Sequence, residues 1–190
     1  MFLLNFLLPV LLAVLLYAAY TFNRFVKLRQ RLANAFSDID VQLKRRWDLI
    51  PALVETVRGY AGHEHQVLAE VTKARTAAMA GPAPTERGEL ETGLATALRG
   101  VFVLVEDYPA LKADRNFLEL HHGLVEIEDH LQKARRYHNA VVRDLNTLRQ
   151  TFPSSLIAGL FPGAAGREDA RYFQLDDEER AVPRIDLGGE

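Results

Sequence analysis

The chain has 190 residues, of which 48% are hydrophobic, and a formal net charge of −2. This length allows one domain of ordinary size plus an anchor, and the near-neutral charge argues against nucleic acid as a partner, because phosphate neutralisation needs a basic excess. Cysteine is absent, which excludes disulfides, thiolate nucleophiles and thiolate metal sites.

The first 22 residues contain no charged side chain and predict one transmembrane helix. At about 1.5 Å per residue they span ~33 Å, enough to cross the hydrocarbon core of a bilayer. A cleaved signal peptide is the alternative, but a basic n-region and an A-x-A cleavage site are missing. We therefore assign residues 1–22 as a membrane anchor whose partner is the lipid bilayer.

The far end of this anchor carries the signals that set its orientation. Aromatic residues there are followed by four basic ones: Tyr17, Tyr20 and Phe22, then Arg24, Lys27, Arg29 and Arg31. Because positively charged flanks stay on the cytoplasmic side, we expect a short N-terminus outside and the bulk of the protein in the cytoplasm.

Beyond the anchor, apolar residues recur every three or four positions without Gly or Pro: Phe25, Leu28, Leu32, Phe36, Ile39 and Leu43. This spacing predicts that the helix runs straight out of the membrane. Pro51, with Asp48 before it, favours a change of direction between Trp47 and Pro51. Either Asp48 caps a new helix there, or one long helix is kinked.

Three further helical stretches follow. The first continues from Ile50 through Val71 and fades before GPAP at 81–84, and the next opens at Thr85 with Glu86 and Glu89 and ends before Tyr108. The last starts after Asp114, ends at Pro153 and has the most regular seam: Phe117, Leu120, Leu124, Ile127, Leu131, Ala134, His138, Val141, Leu145, Leu148 and Phe152.

These elements predict an all-α protein: an N-terminal single transmembrane helix continues into an elongated antiparallel helical bundle with coiled-coil-like packing. Residues 1–22 form the anchor and residues 23–161 the bundle, whose SSLIAGLF end adds one or two turns. Residues 162–190 are predicted to be an acidic, flexible tail unless Tyr172, Phe173 or Ile185 docks.

A resemblance to a known family covers nearly the whole chain after the anchor. It is carried, in this order, by five segments: NAFSDIDVQLKRRWDLIPALVETVRGYAGHE (34–64), EVTKAR (70–75), YPALKADRNFLEL (108–120), ARRYHNAVVRDLNT (134–147) and FPSSLIAGLF (152–161). They closely resemble the LemA family of bacterial membrane proteins, although Phe36 stands where relatives usually carry Trp. The resemblance implies a bacterial cell-membrane location, a short outside N-terminus and an elongated bundle, but no catalytic residue.

The sharpest candidate interaction site surrounds a basic run next to Pro51. Lys44 lies about 22 residues past the membrane edge, or ~33 Å, beyond the ~8–10 Å Debye length, so a lipid contact requires the arm to lie along the membrane. Contact with a neighbouring subunit or with the facing fourth helix is the preferred hypothesis, and a solvated face is the other alternative. The candidates are Asp38, Asp40, Lys44, Arg45, Arg46, Trp47, Asp48 and Pro51.

Six histidines raise the question of a metal site. Glu119-x-x-His122 has the spacing of di-iron bundles but lacks a second copy, and the H-E-H run at 63–65 does not match H-E-x-x-H. We therefore predict no metal and no cofactor. His138 occupies a seam position, where a polar group sets helix register or responds to pH, and we favour the register role.

No arrangement for catalysis assembles along the chain. It has no phosphate-binding glycine loop and no serine elbow, and we expect the carboxylates Glu126, Glu128 and Asp129 on exposed flanks. The predicted function is a membrane-anchored scaffold that forms homo-oligomers and is not an enzyme. The alternative is an adaptor or regulator that recruits a protein partner through the arm and the acidic tail; an enzyme with a metal site in the bundle has little support.

Overall fold

The structure, a computed structural model, describes residues 2–81 and 87–166. These residues form seven helices and no strand: α1 (Phe2–Tyr60), α2 (His65–Ala80), α3 (Arg87–Val105), α4 (Pro109–Lys112), α5 (Arg115–Gln150), α6 (Ser154–Leu160) and α7 (Pro162–Ala165). The predicted all-α class and helical bundle are confirmed. The helix start expected at Thr85 and Glu86, and the tail from residue 167 onward, lie outside the described residues.

Helix α1 is continuous through Pro51, so the expectation that Asp48 caps a new helix there is wrong. Of the two alternatives at that point, the single long helix is observed, and Asp48 caps nothing. The chain reverses at 61–64 instead, between α1 and α2. Gly59 and Gly62 flank this end, and glycine costs about 1 kcal/mol relative to alanine inside a helix, which favours termination there.

The apolar residues 6–17 of α1 are exposed on every side. Within the described residues, one helix is long and apolar enough to cross a membrane, and only 6% of its apolar window is buried. Leu7, Leu11 and Leu15 are each more than half exposed. A core helix of a water-soluble bundle would bury one face of this stretch, so the exposure fits a segment surrounded by lipid.

The chain divides into two compact units, and one of them contains residues 38–81 and 87–134. Its core is built from α1, α2, α3, α4 and α5, with fully buried side chains that include Leu43, Leu53, Val71, Leu94 and Leu131. α1 and α5 run antiparallel here, since Tyr60 contacts Asp114 and Arg46 contacts Glu128.

The other unit contains residues 2–37 and 135–166. Phe25 and Leu28 of α1 pack against Val141, Leu145 and Leu148 of α5. The inner faces of α6 and α7 cover this core, and they contribute Ile157, Ala158, Ala164 and Ala165. α7 therefore lies inside the stretch that the sequence assigned to the tail.

Helix α5 begins at its predicted position because its first turn is specified locally. The Oδ1 atom of Asp114 accepts a hydrogen bond from the backbone N–H of Phe117 at 2.9 Å, which caps the helix. The hydroxyl of Tyr60 donates to Oδ2 of Asp114 at 2.9 Å. The bond from Phe117 and the bond from Tyr60 lower the pKa of Asp114, and the carboxylate raises the pKa of Tyr60.

The buried face of α5 is wider than the predicted seam. Ten of the eleven predicted positions are buried or half-buried, and the exception is Phe152, which is 76% exposed because the helix ends at Gln150. A second stripe, spaced by seven residues, adds His121, Glu128, Arg135 and Val142. Three of these four side chains are polar, so the apolar pattern could not show that they face inward.

Candidate functional site

A buried charged network connects α1, α3 and α5 within the unit of residues 38–81 and 87–134. Nη1 of Arg46 lies 3.5 Å from Oε2 of Glu91 and 3.5 Å from Oε2 of Glu128. The three side chains are 5%, 1% and 13% exposed. One guanidinium on α1 is thus held between a carboxylate from α3 and a carboxylate from α5.

The neighbouring tryptophan joins the same carboxylate. Nε1 of Trp47 donates a hydrogen bond to Oε1 of Glu91 at 2.9 Å, so the two oxygens of Glu91 serve two consecutive residues of α1. A bond to an ionised acceptor is stronger than a neutral one, and its geometry is specific. Glu91 therefore fixes how far α3 can slide or rotate against α1.

The proline inside α1 is accommodated by a residue of α2. Pro51 has no N–H, so the carbonyl of Trp47, four residues earlier, loses its helical donor. Nε of Arg75 donates to this oxygen at 2.7 Å. A charged side chain from α2 thus replaces the missing backbone bond, and the helix continues across the proline.

The network balances its own charge. Arg46 and Arg75 supply two positive charges, and Glu91 and Glu128 supply two negative ones. Burying a charge is costly unless it is paired and hydrogen-bonded, so each helix must present its group at the correct height. The arrangement specifies helix register, and its burial leaves little room for a substrate.

The predicted interaction residues divide into two faces. Arg46 and Trp47 point inward. Of the alternatives raised from the sequence, Arg46 makes the contact with the facing helix, because it lies against Glu128 of α5. The other six remain exposed on α1: Asp38, Asp40, Lys44, Arg45, Asp48 and Pro51. The expectation that Glu128 lies on an exposed flank is wrong, since its partner Arg46 draws it inward.

Sequence reasoning missed three members of the network: Arg75, Glu91 and Glu128. Pro51 did provide one signal, because a proline inside a helical pattern frees the carbonyl four residues before it. Nothing in the spacing identifies which side chain satisfies that carbonyl. Arg75 is 28 positions from Trp47, and the fold brings the two together.

The histidines lie in different environments. His138 is 4% exposed on α5 and contacts the ring of Phe36, with centroids 6.1 Å apart. Burial lowers its pKa below the usual 6.5, so it is neutral at neutral pH. His121 is also buried, between Phe102 and Phe117, whereas His63, His65 and His122 are exposed. Among the described residues, no group of three potential metal ligands is found.

A basic cleft lies just beyond the apolar stretch of α1. It has a volume of about 330 Å³ and contains three cations and one carboxylate: Tyr20, Asn23, Arg24, Lys27, Leu28, Arg31 and Asp144 line it. Within residues 2–81 and 87–166, none of the three cations forms an ion pair at the salt-bridge distance. The cleft concentrates positive charge beside the end of the candidate membrane span.

The exposed apolar helix and the helical bundle with its buried charged network define the class of membrane-associated all-helical proteins. The chain belongs to the LemA family, whose family model matches residues 35–187. It is similar to magnetosome proteins MamQ 1 and MamQ 2 of Paramagnetospirillum magneticum. Each is 24% identical, with 80% of this chain and 64% of the relative covered.

A further relative is the protein LemA of Metamycoplasma hominis. It is 23% identical over a match that covers 72% of this chain and 63% of the relative. The chain thus spans less than two thirds of the length of each of these relatives. Any role of these longer proteins is therefore only a proposal for this chain.

Proposed function

We propose that this protein is a membrane-anchored helical scaffold that self-associates and has no catalytic activity of its own. The observation that carries the proposal is the continuity of α1. One helix, Phe2–Tyr60, supplies both the exposed apolar stretch and one wall of the charge-locked core. The same helix therefore contributes to the proposed membrane anchor and to the core of the scaffold.

The charge distribution along α1 supports anchoring. The basic cleft with Arg24, Lys27 and Arg31 follows the apolar stretch directly, at the height where headgroup phosphates lie. We propose that the protein resides in the bacterial cell membrane, with a short N-terminus outside and the helical units in the cytoplasm, in keeping with the positive flank.

The proposal that the protein has no catalytic activity is supported by the contacts of its buried carboxylates. The described carboxylates that are most buried, Glu91 and Glu128, are held by Arg46 and Trp47. A catalytic carboxylate must reach a substrate, whereas these are covered by three helices. Their arrangement favours structural specificity over chemistry.

Self-association is proposed through an exposed stripe on α1 made of Asp38, Val41, Lys44, Arg45 and Asp48. These residues recur every three or four positions, so they share one helix face. The stripe carries both signs of charge around Val41, which is 49% exposed. Such a surface can pair with a complementary one and discriminate against wrong partners.

The experiment is blue-native electrophoresis of the full chain in mild detergent, followed over a wide concentration range. We expect an oligomer, and its loss in the double charge reversal Lys44→Glu with Arg45→Glu. The matched control is Arg58→Glu, an exposed charge ~20 Å further along the same helix. A strictly monomeric wild-type protein at every concentration would refute self-association.

An adaptor that recruits a protein partner is the second candidate function. Lys44 and Arg45 favour it, since both are exposed and neither forms an ion pair at the salt-bridge distance with a described residue. Its test is a pull-down with the full chain. A partner retained by the wild type and by Arg58→Glu, but lost in the double reversal, supports the adaptor; an unchanged set of partners refutes it. Arg46 must stay unchanged, because it is buried.

A further inference from the structure

Helix α6 has apolar side chains on both faces. Its inner face covers a core, through Ile157 and Ala158. Its outer face carries Leu156 and Leu160, one helical turn apart and 63% and 70% exposed, and Phe152, in the turn before the helix, is 76% exposed. Large apolar side chains grouped at this exposure mark an interaction surface.

The segment that directly follows α6 makes two contacts to α1 within the same unit. The ring of Phe161 packs edge-on against Phe22, with centroids 5.5 Å apart. The guanidinium of Arg29 donates a hydrogen bond to the carbonyl oxygen of Gly163. The segment from Phe161 to Gly163 is therefore attached to the eight residues from Phe22 to Arg29, which span ~10 Å in a helix.

With α1 crossing the bilayer as proposed above, this attachment places the C-terminal end of α6 at the height of the membrane surface. Phe22 is the last apolar residue before the first charged side chain, Arg24, so its ring marks the end of the hydrocarbon region. The polar interfacial layer on each side of a bilayer is about 5–8 Å thick, comparable with the distance that α6 occupies along α1. Apolar side chains at that height reach the acyl chains when they point toward the bilayer.

We propose that Phe152, Leu156 and Leu160 form a second membrane contact, in which α6 lies in the interfacial layer of the bilayer that α1 crosses. The occupant of this face is phospholipid, at the boundary between acyl chains and headgroups. The inference rests on the proposed membrane anchoring of α1. The sequence alone predicts one membrane-spanning helix and a bundle outside the membrane. The proposed contact adds a second element, which lies on the membrane surface.

Lipid fits this face better than a second copy of the chain. α6 is seven residues long, or ~10 Å, and presents on the order of 100–200 Å² on one side, against about 800 Å² per partner in a standard protein interface. Contact with lipid requires no such minimum area. The exposed face is also continuous with Phe22 through Phe161, and so with the apolar span itself.

The test uses single cysteines, because the chain contains none. Leu160→Cys is labelled with an environment-sensitive fluorophore in the full chain, reconstituted into phospholipid vesicles that contain lipids with a shallow spin-label quencher. The matched control is Val103→Cys, an aliphatic residue of α3 that is 62% exposed in the other unit. We expect a blue-shifted emission and at least twofold stronger lipid quenching at position 160 than at position 103.

A third label separates this inference from the anchoring on which it rests. Leu12→Cys, in the apolar stretch, reports insertion through quenching by deeply placed spin labels. If position 12 is quenched while position 160 behaves like position 103 and is accessible to aqueous iodide, the interfacial contact is refuted and the anchor stands. If position 12 is not quenched, the anchoring fails. If position 160 is shielded from both lipid and iodide and this shielding disappears on dilution of the protein in the bilayer, a second copy covers α6 and the proposal is overturned.

Discussion

At the scale of single residues, two consecutive arginines of α1 have opposite environments. Arg45 is exposed, whereas Arg46 is 4% exposed and lies between Glu91 and Glu128. The same KRR run that suggested a surface for a partner thus contains one internal charge. A side chain of this length can reach a core only when the fold supplies its counter-ions.

Replacing these arginines by methionine separates their roles. We expect Arg46→Met to lower the free energy of unfolding by about 3–5 kcal/mol, because it removes the guanidinium that lies 3.5 Å from both buried carboxylates. Arg45→Met should change it by no more than about 0.5 kcal/mol. Denaturant titration of both variants measures this, and equal effects would contradict the network.

The bond between Arg75 and the carbonyl of Trp47 should depend on Pro51. We expect Arg75→Met to cost about 1–2 kcal/mol in the wild-type background, because the carbonyl would lose its donor. In a Pro51→Ala background the cost should be smaller, since the introduced alanine would supply the backbone N–H that proline lacks. A double-mutant cycle in denaturant measures the coupling; a coupling of zero would show that Arg75 does not replace the missing bond.

His138 should make stability depend on pH in one direction. Its pKa is lowered by burial, so the unfolded chain binds more protons than the folded one as pH falls below about 6.5. The stability that neutral His138 contributes is present above pH 6.5 and is lost as pH falls through the folded pKa. We expect His138→Gln to remove this part of the pH dependence. Thermal unfolding of both proteins between pH 7.5 and 5 measures it. A dependence of the unfolding temperature on pH that is unchanged in the variant would contradict the prediction.

At the scale of elements, α1 and α5 approach closely at one glycine. A Cβ added at Gly123 would lie 3.2 Å from Cδ1 of Leu49, whereas one added at Gly93 of α3 would meet nothing within 4 Å. A side chain at position 123 would therefore require Leu49 to shift, whereas one at position 93 would not. The predicted helical pattern contained both glycines but gave no reason to distinguish them.

Valine substitutions test this contact. We expect Gly123→Val to destabilise the protein by about 1–3 kcal/mol, because the added methyl groups would push Leu49 and α1 away. Gly93→Val should be neutral or slightly stabilising, since valine is a better helix former than glycine and has open space there. The midpoints of denaturant unfolding compare the two, and equal shifts would contradict close packing at Gly123.

At the scale of the whole molecule, the proposed topology makes a prediction for intact cells. A protease added outside should leave the helical units uncut, and the same protease should cut them after the cells are permeabilised, because the basic flank holds them inside. Immunoblotting against a tag on the helical units shows whether the protease has cut them. Digestion in intact cells would reverse the proposed orientation.

Much of this protein could be derived from the order of its residues. The charge-free first 22 positions, the helical spacing and the start of α5 after Asp114 depend on local patterns, and these predictions agree with the helices observed. Local physics is enough for them, since helix periodicity and capping involve residues a few positions apart.

Tertiary structure decided the features that join distant residues. At Pro51 a new helix start and a kinked continuous helix both stayed open, because the sequence does not show that Arg75, 24 positions later, satisfies the carbonyl that proline leaves open. For Arg46 the sequence could not decide between a neighbouring subunit, the facing helix and solvent, and it placed Glu128 on an exposed flank, whereas the fold brings the two within 3.5 Å of each other in the core. A buried charge is favourable only together with its partner, and the pairing of residues far apart in the chain is created by packing.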